Sequence, residues 1–315
     1  MKDTISQKEC MTIVVPVYNR AKLIVRCLES LKAQTYRPLH IIVVDNASTD
    51  DTMANIERWM HSNADKDFSM DILSETNPGA AYARNLGLNH VATDKVMFFD
   101  SDDTMRPNCV KSIMELWRSY PDPDVIVWQV AIHHDGNVRI THSIKGCLIE
   151  QHLVHAILRT QGYAIKRDFI KKAGGWRGEF PVWNDLETGS RILLSNPKTK
   201  VLEGVYADVY HQRESITGEN FSDKYGTWER SLDGIDESIR KSARNDRRRL
   251  HNVISYRRAI LAAHYSKEGH PELAKPLYQQ ALSEVPKKKR PLIRFAYHWT
   301  KCGLRGAFSI IEKFL

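Results

Sequence analysis

The chain opens with near-continuous aliphatic runs, not alternating ones: "MTIVVPVYN" (11–19) and "HIIVVDNAS" (40–48). Strands buried on both faces read this way, as in parallel sheets covered by helices. Between these runs, Ile24, Cys27, Leu28 and Leu31 fall at helical spacing within 22–34. The stretch 48–60 begins with Ser48, Thr49 and two aspartates, a good helix start, and then turns helical. A weaker strand at 67–73, a helical stretch at 79–93 and the strand "KVMFFD" (95–100) follow. The pattern β-α-β-α-β-α-β predicts an α/β domain with a mainly parallel central sheet flanked by helices.

Beyond residue 110 the order loosens. "VIVWQVAI" (125–132) and "NVRITHSI" (137–144) flank Asp135-Gly136, a hairpin signal. A helix is predicted around 151–159. Residues 160–176 read as strand, helix and glycine stop, 182–197 as a loop and a helix ended by Pro197, and 206–217 as a short strand and loop. From about 219 strand signals vanish. Residues 257–286 resemble one tetratricopeptide unit, with Tyr265, Gly269, Ala274, Tyr278, Ala281 and Pro286 at that repeat's spacing and Pro276 as a departure. One copy cannot form a solenoid, so a packed helical hairpin is expected. The predicted division is therefore a main domain over 1–220, with halves at 10–110 and 111–220, and a helical extension over 221–315. The extension holds the hairpin (257–286) and a basic tail (287–315).

Charge refines this picture. Of a net +8, residues 236–315 hold 18 Lys/Arg against 7 Asp/Glu. A uniformly basic chain would suggest nucleic acid. This asymmetry suggests a basic tail with its own task, and no nucleic-acid partner is expected. In that tail Leu292, Phe295, Ala296 and Trp299 recur at helical spacing, as do Ala307, Ile311 and Phe314, with Arg294, Lys301, Arg305 and Lys313 between them. That is the composition of an interfacial membrane anchor; packing of the same face on the protein is the competing expectation. The start of the chain has no apolar leader, no run approaches the ~18 apolar residues of a membrane span, and the five cysteines show no CxxC spacing. A cytoplasmic location is expected, peripheral at the membrane if the tail anchors.

The chemistry concentrates in "FFDSDD" (98–103), where an apolar strand runs into three carboxylates. In an open α/β sheet, ligands bind beyond the carboxyl ends of the strands, and three polar loops leave such ends: 16–19, 45–49 and 100–103. Clustered like charges at a buried strand end call for a cation. Asp100, Asp102 and Asp103 offer the hard oxygens that Mg²⁺ or Mn²⁺ prefers, and a divalent ion in turn suits a nucleotide diphosphate. An acidic turn capping the next helix is the bland alternative. There is no G-x-G-x-x-G after the first strand and no P-loop.

Residues 11–51, then "NPGAAYARNLGLNHVATDKVMFFDSDD" (77–103), closely resemble family 2 of the inverting glycosyltransferases with a GT-A fold. The resemblance is strong over about 11–110, fair over 160–217 and absent after about 220. It implies a nucleotide-diphospho-sugar transferase fold with a C-terminal helical extension. It places Pro16, Tyr18 and Asn19 at the nucleotide base and ribose, and Asp45 and Asn46 at the base. Many members carry Asp at the position of Asn46. The resemblance puts Asn77, Gly79 and Arg84 in a helix facing the nucleotide, a surface salt bridge being the alternative for Arg84. Asp100 and Asp102 match the metal-binding DxD, with Asp103 in support, and His211 is a third metal candidate. "WNDLETGSRILL" matches the motif whose aspartate is the general base: Asp185, with Arg191 six residues on, Asn184 in place of the usual Glu, and Glu187 as runner-up. A helix cap is the competing role for Asp185. His133 and His134 are expected in solvent.

The implied activity is metal-dependent, inverting sugar transfer from a UDP- or dTDP-linked donor to a hydroxyl of a glycan or lipid-linked glycan, in cell-surface polysaccharide synthesis. A sugar-phosphate nucleotidyltransferase would release pyrophosphate and carry a "GxGTR" loop, which is lacking. A non-catalytic nucleotide-sugar-binding module would form no product.

Overall fold

A computed structural model describes residues 9–63, 65–120, 122–211, 220–304 and 306–307. The expectations for the loop at 212–217 and for Arg305, Ile311, Lys313 and Phe314 lie outside the described residues. In chain order the elements begin β1 (Met11–Val17), α1 (Ile24–Lys32), β2 (Leu39–Asp45), α2 (Thr52–Asn63), β3 (Phe68–Ser74), α3 (Ala80–His90) and β4 (Lys95–Phe98). Then come β5 (Thr104–Met105), α4 (Cys109–Ser119), β6 (Val125–His134), β7 (Asn137–Ile140), α5 (Leu148–His155), β8 (Tyr163–Lys166) and α6 (Arg167–Lys172). The rest are α7 (Asn184–Leu194), β9 (Thr199–Tyr210), α8 (Thr227–Lys241), α9 (Arg247–Lys267), α10 (Pro271–Glu284) and α11 (Arg290–Lys301).

Chain contacts divide these elements into two compact units. The first takes residues up to 144 with 157–179 and 197–211; the second takes 145–156, 180–196 and 212 onward. The division is not a cut at 220. α5 and α7, short helices inside the sheet-forming region of the chain, pack with α8 and α9 instead.

The first unit holds the sheet, ordered β3-β2-β1-β4-β8-β6-β9-β5 with β7 beside β6. β1, β2, β3 and β4 pair in parallel, whereas β8 runs antiparallel to both β4 and β6. β1 is therefore the switch point, with β2 on one side and β4 on the other. α1, which joins β1 to β2, packs on the face of Ile13, Val15 and Val43, whereas α3, which joins β3 to β4, packs on the face of Val14 and Val44; such a reversal leaves a crevice at the strand ends. All seven positions of β1 are buried, as the unbroken aliphatic run requires. α1 buries Ile24, Cys27, Leu28 and Leu31 into the same core as Val15, Val43 and Phe99. Each such side chain contributes roughly 1.5–3 kcal/mol relative to exposure. α3 comes close to the sheet at Gly87, where a Cβ would clash with Val14 and lie 3.2 Å from Val44 Cγ2.

Three differences from expectation have local causes. β9 begins at Thr199, well before the expected 206, and its register against β6 shifts twice; with Gly204 inside it and no apolar run, it has no readable period. β5 is two residues long, too short for any pattern. α9 starts at Arg247, ten residues ahead of the repeat-like segment, and opens on three consecutive arginines.

In the second unit, α9 and α10 form the expected hairpin, with Pro276 held inside α10. α11 closes one side of it. Ile293 and Ala296 are buried with Tyr256, Ala259 and Ala281, and Leu292 and Trp299 pack against the group. Of the expected stripe, Ala296 is thus buried under the chain's own helices and Leu292 and Trp299 are half-buried against them, whereas the half-buried Phe295 lies outside that group. Among the described residues, no helix is long and apolar enough to cross a membrane.

Candidate active site

The loop after β1 is tied to the loop after β2. Asn19 takes a positive φ of 49°. Its backbone N–H donates to Ser48 Oγ (3.0 Å), and its side-chain oxygen accepts from the Thr49 N–H (2.8 Å). The Arg20 N–H donates to Thr52 Oγ1 at 2.7 Å and the Ala21 N–H to Asp50 at 3.2 Å. Ser48 and Thr49, expected to start α2, serve Asn19 instead, and Asp50 receives the Thr52 N–H of the first turn at 3.0 Å. Pro16 lies in β1 opposite Val44, and Tyr18 beyond it is 54% exposed, an aromatic ring in water at the mouth of the crevice.

Asp45 and Asn46 are buried. Both Asp45 oxygens accept from the Ser48 N–H at 3.2 Å. The Asn46 amide donates to the carbonyls of Glu75 (2.9 Å) and Asn77 (2.7 Å) and accepts from the Gly79 N–H (2.7 Å). An aspartate could not donate to two carbonyls, which accounts for the amide at this position. Asn46 braces the turn that leads into α3. Asn77 is exposed and held by Glu75, and Gly79, at φ 127°, caps α3.

Arg84 is buried, not on the surface. It donates to Asp100 Oδ1 at 2.7 Å and lies 4.4 Å from the Trp176 ring centre. Its Nε and Nη1 are buried without a partner among the described residues. Such orphaned donors are costly in a finished core and suit a site that takes an anion.

The carboxylates follow β4, where the Phe99 N–H still donates to Val14 O. They do not cap α4: its cap position is Asn108, with no side-chain cap bond, and β5 intervenes. Asp103 is 2% exposed. It accepts from the Tyr210 N–H (2.9 Å) and from the Gln161 amide. That amide also donates to Asp100 Oδ2 at 2.6 Å, so one NH₂ group bridges two carboxylates. Gln161 was not readable as a site residue: a lone glutamine ahead of a short strand carries no spacing signal. Burial, then Asp100 and Asp102, push the Asp103 carboxyl well above the ordinary carboxylate range. Asp102 is also raised, by burial and by Asp100, against the opposing pull of Arg20. Arg20 Nε stands 3.3 Å from Asp102 Oδ2, and Arg26 donates to the Asp102 carbonyl at 2.5 Å while lying 4.1 Å over the Tyr210 ring.

His211 follows Tyr210, with its ring edge-on to His134 at 5.3 Å. Burial and His134 lower its pKa, so it is held as a neutral imidazole, the ligating form. Its ring and the carboxylates of Asp100 and Asp102 do not bring three ligand atoms within 4.8 Å of one another. His133 is not a solvated side chain: it pairs with Asp208 at 2.8 Å and stacks on Tyr210. The residues present fit a hard divalent cation. Three carboxylates share one loop, and the raised proton affinities of Asp102 and Asp103 mark negative charge that the neighbouring guanidinium groups do not fully compensate.

In the second unit, α7 begins at Asn184 behind Trp183, whose φ of 49° is strained for a bulky residue. Trp183 is fixed edge-on to Trp228 at 4.7 Å and tilted to Phe221 at 6.4 Å. Asp185 sits in the first turn, partly exposed, and accepts from the Leu186 N–H at 2.8 Å. It is not the cap residue. Arg191 pairs with Glu187 rather than Asp185, through two bonds of 2.6 and 2.8 Å, both side chains buried. A separate trio, Cys147, Glu150 and Asp246, places three ligand-type atoms within 4.8 Å, but Arg249 and Arg244 already neutralise its carboxylates at 2.8 Å each.

The family model described as glycosyl transferase family 2 matches residues 12–174, just over half of the chain. The chain belongs to glycosyl transferase family 2. The glycosyltransferase GlyG of Streptococcus pneumoniae serotype 4 is 28% identical over 156 residues, covering 49% of this chain and 50% of GlyG. The chain thus spans about half the length of that relative. Among solved structures, S. aureus TarS residues 1–349 in complex with UDP-GlcNAc matches with a TM-score of 0.70 at 16% identity, over 96% of this chain and 91% of that one. The mannosyltransferase PcManGT from Pyrobaculum calidifontis, in complex with GDP-Man and Mn²⁺, matches at 0.58 with 18% identity, over 95% and 86%. The fold is the GT-A glycosyltransferase fold.

If Gln161 is the tie between the two carboxylates, Gln161→Leu leaves both short of a donor. The unfolding midpoint in urea should fall by the equivalent of about 1.5–3 kcal/mol, the range for bonds to charged groups. An unchanged midpoint would show that the bridge contributes nothing.

Proposed function

We propose that this family 2 chain transfers a sugar from a nucleoside diphosphate, uridine- or thymidine-linked, to a hydroxyl group of a glycan or lipid-linked glycan. The setting is cell-surface polysaccharide synthesis, and the transfer inverts the anomeric carbon. The observation that carries this reading is the Asp100–Asp103 loop at the β1/β4 switch point, held by Gln161 and Arg84 beside the Asn19 loop. Complexes of the TarS and PcManGT neighbours with nucleotide sugars support the donor class, and Mn²⁺ in the latter supports the metal.

Pro16, Tyr18, Asn19, Asp45, Asn46, Asn77, Gly79, Arg84 and Asp100 are assigned to the nucleotide side of the site. Asn46 acts there chiefly by bracing the α3 turn, and Arg84 through its unused donors. Asp102, Asp100 and His211 are assigned to Mg²⁺ or Mn²⁺, with Asp103 in support. A bound cation would supply Lewis-acid stabilisation of the leaving diphosphate. Asp185 takes the proton of the acceptor hydroxyl as its oxygen bonds to the anomeric carbon and the bond to the diphosphate breaks. Glu187 is committed to Arg191, which leaves Asp185 as the base of that helix, and Arg191 is its structural support. The cations Lys287, Lys288 and Arg294, exposed on and before α11, are assigned to an anionic membrane surface.

Asp185→Asn keeps the shape and removes the proton acceptor. Turnover should fall about 10²–10⁴-fold with donor affinity, measured by calorimetry, unchanged; affinity falling in parallel would count against a pure base role. UDP binding to the unaltered protein should weaken on adding EDTA, and Asp102→Ala should remove that sensitivity. An unaltered protein that ignores EDTA would rule out the metal clamp. Reversing Lys287, Lys288 and Arg294 to Glu should abolish cosedimentation with phosphatidylserine vesicles at low salt, since each cation contributes about 1 kcal/mol near an anionic leaflet. Equal cosedimentation of both forms would exclude the membrane contact.

A further inference from the structure

The carboxylates of the Asp100–Asp103 loop are not equally committed. Asp103 is enclosed by the Tyr210 N–H and Gln161. Asp100 is fixed by Gln161 at 2.6 Å and by the buried Arg84 at 2.7 Å. For Asp102 the side-chain partner is Arg20, through Nε alone at 3.3 Å, with both side chains about one-fifth exposed. Arg26 addresses the Asp102 carbonyl, not its carboxylate. A strong guanidinium–carboxylate pair is bidentate and near 2.8 Å. Arg20 makes the longest of these contacts, and of the two arginines it is the one in reach of water, 22% exposed against 5% for Arg84.

Its remaining bonds point elsewhere. Nη1 donates to the carbonyls of Tyr18 (3.3 Å) and Asn19 (3.1 Å), in the loop assigned to the nucleotide. The backbone beneath it is pinned by Thr52, Ser48, Thr49 and Asp50. The side chain can therefore swing away from Asp102 while the loop stays in place.

We propose that Arg20 is a built-in counter-ion for Asp102 that a divalent cation displaces, and that the freed guanidinium then serves the donor diphosphate. The inference rests on the metal-dependent reading above and adds a role for a residue outside it. Two cations cannot share one carboxylate at this separation without mutual repulsion, so Arg20 and the metal compete for Asp102. Once displaced, Arg20 remains anchored at the nucleotide loop as a free positive charge, which favours a diphosphate there. Metal and donor binding become coupled: the first releases a group that the second uses. Without either, Arg20 keeps the like charges of Asp100 and Asp102 tolerable.

The test is the sign of an affinity change. Mn²⁺ alone is titrated into the unaltered protein, Arg20→Gln and Arg20→Lys, followed by electron paramagnetic resonance. UDP is then titrated at saturating Mn²⁺. Arg20→Gln should bind Mn²⁺ about three- to fivefold tighter, the scale of an exposed ion pair, and UDP several-fold more weakly. Arg20→Lys, which keeps the charge, should bind Mn²⁺ as the unaltered protein does, and should tighten too if the gain came only from a loosened loop. With Asp102→Asn added to both forms, the difference between the unaltered Arg20 and Arg20→Gln should vanish. Equal or weaker Mn²⁺ affinity in Arg20→Gln overturns the counter-ion role alone. No Mn²⁺ binding by any form overturns the metal reading and this inference with it.

Discussion

Three carboxylates at the end of a buried strand are a charge that the rest of the sheet unit has to accommodate. Burial and mutual repulsion push Asp102 and Asp103 toward the protonated form, and each neighbour answers part of that. Gln161 reaches in from the segment before β8, Tyr210 gives a backbone N–H from the end of β9, Arg84 comes from α3, and Arg20 comes from the loop after β1. Strand order brings these groups together: β4 lies between β1 and β8, and β9 follows β6 in the same sheet. The second half of the sheet therefore does more than extend the core. It delivers uncharged donors to carboxylates that another arginine would over-neutralise. A site left slightly too negative is one that a divalent cation can complete.

Most of the first half of this arrangement, over residues 10–110, was legible in the sequence. Strands buried on both faces leave unbroken aliphatic runs, and the loops that end them stand out by contrast. That contrast marked 16–19, 45–49 and 100–103. The support was not legible for a physical reason. Gln161 and the Tyr210 N–H act through tertiary contact, and neither a single glutamine nor a backbone amide leaves a periodic trace. β9 was read short because Gly204, register shifts and half-exposed positions erase its alternation. Spacing within a motif also does not state pairing: Arg191 stands six residues after Asp185, but in a helix the neighbour is at four, and its bond goes to Glu187.

Asn46 shows how one departure from a family pattern is absorbed. At that position an amide can both donate and accept, and it donates twice and accepts once in the turn into α3. A carboxylate would face the carbonyls of Glu75 and Asn77 with lone pairs only. The residue and its turn are thus one local solution, and substitution at either alone would leave the other unmatched. The same logic applies at Trp183, where a positive φ is sustained by the rings of Trp228 and Phe221 rather than by a glycine.

The C-terminal helices mark the limit of reading amphipathicity. A helical stripe of apolar residues states that a face will be covered, because exposing it in water is unfavourable. It does not state by what. In α11 the buried positions are Ile293, Ala296 and Thr300, and their cover is the hairpin of α9 and α10. The cations at 287, 288 and 294 stay outside that contact. Covering the apolar stripe internally therefore separates two properties that the sequence presents together. The hydrophobic face is used in holding the helix, and the charge remains available to whatever anionic surface the unit meets. Any such attachment would be electrostatic and would weaken as salt screens it, unlike an anchor that buries its own apolar side chains in lipid.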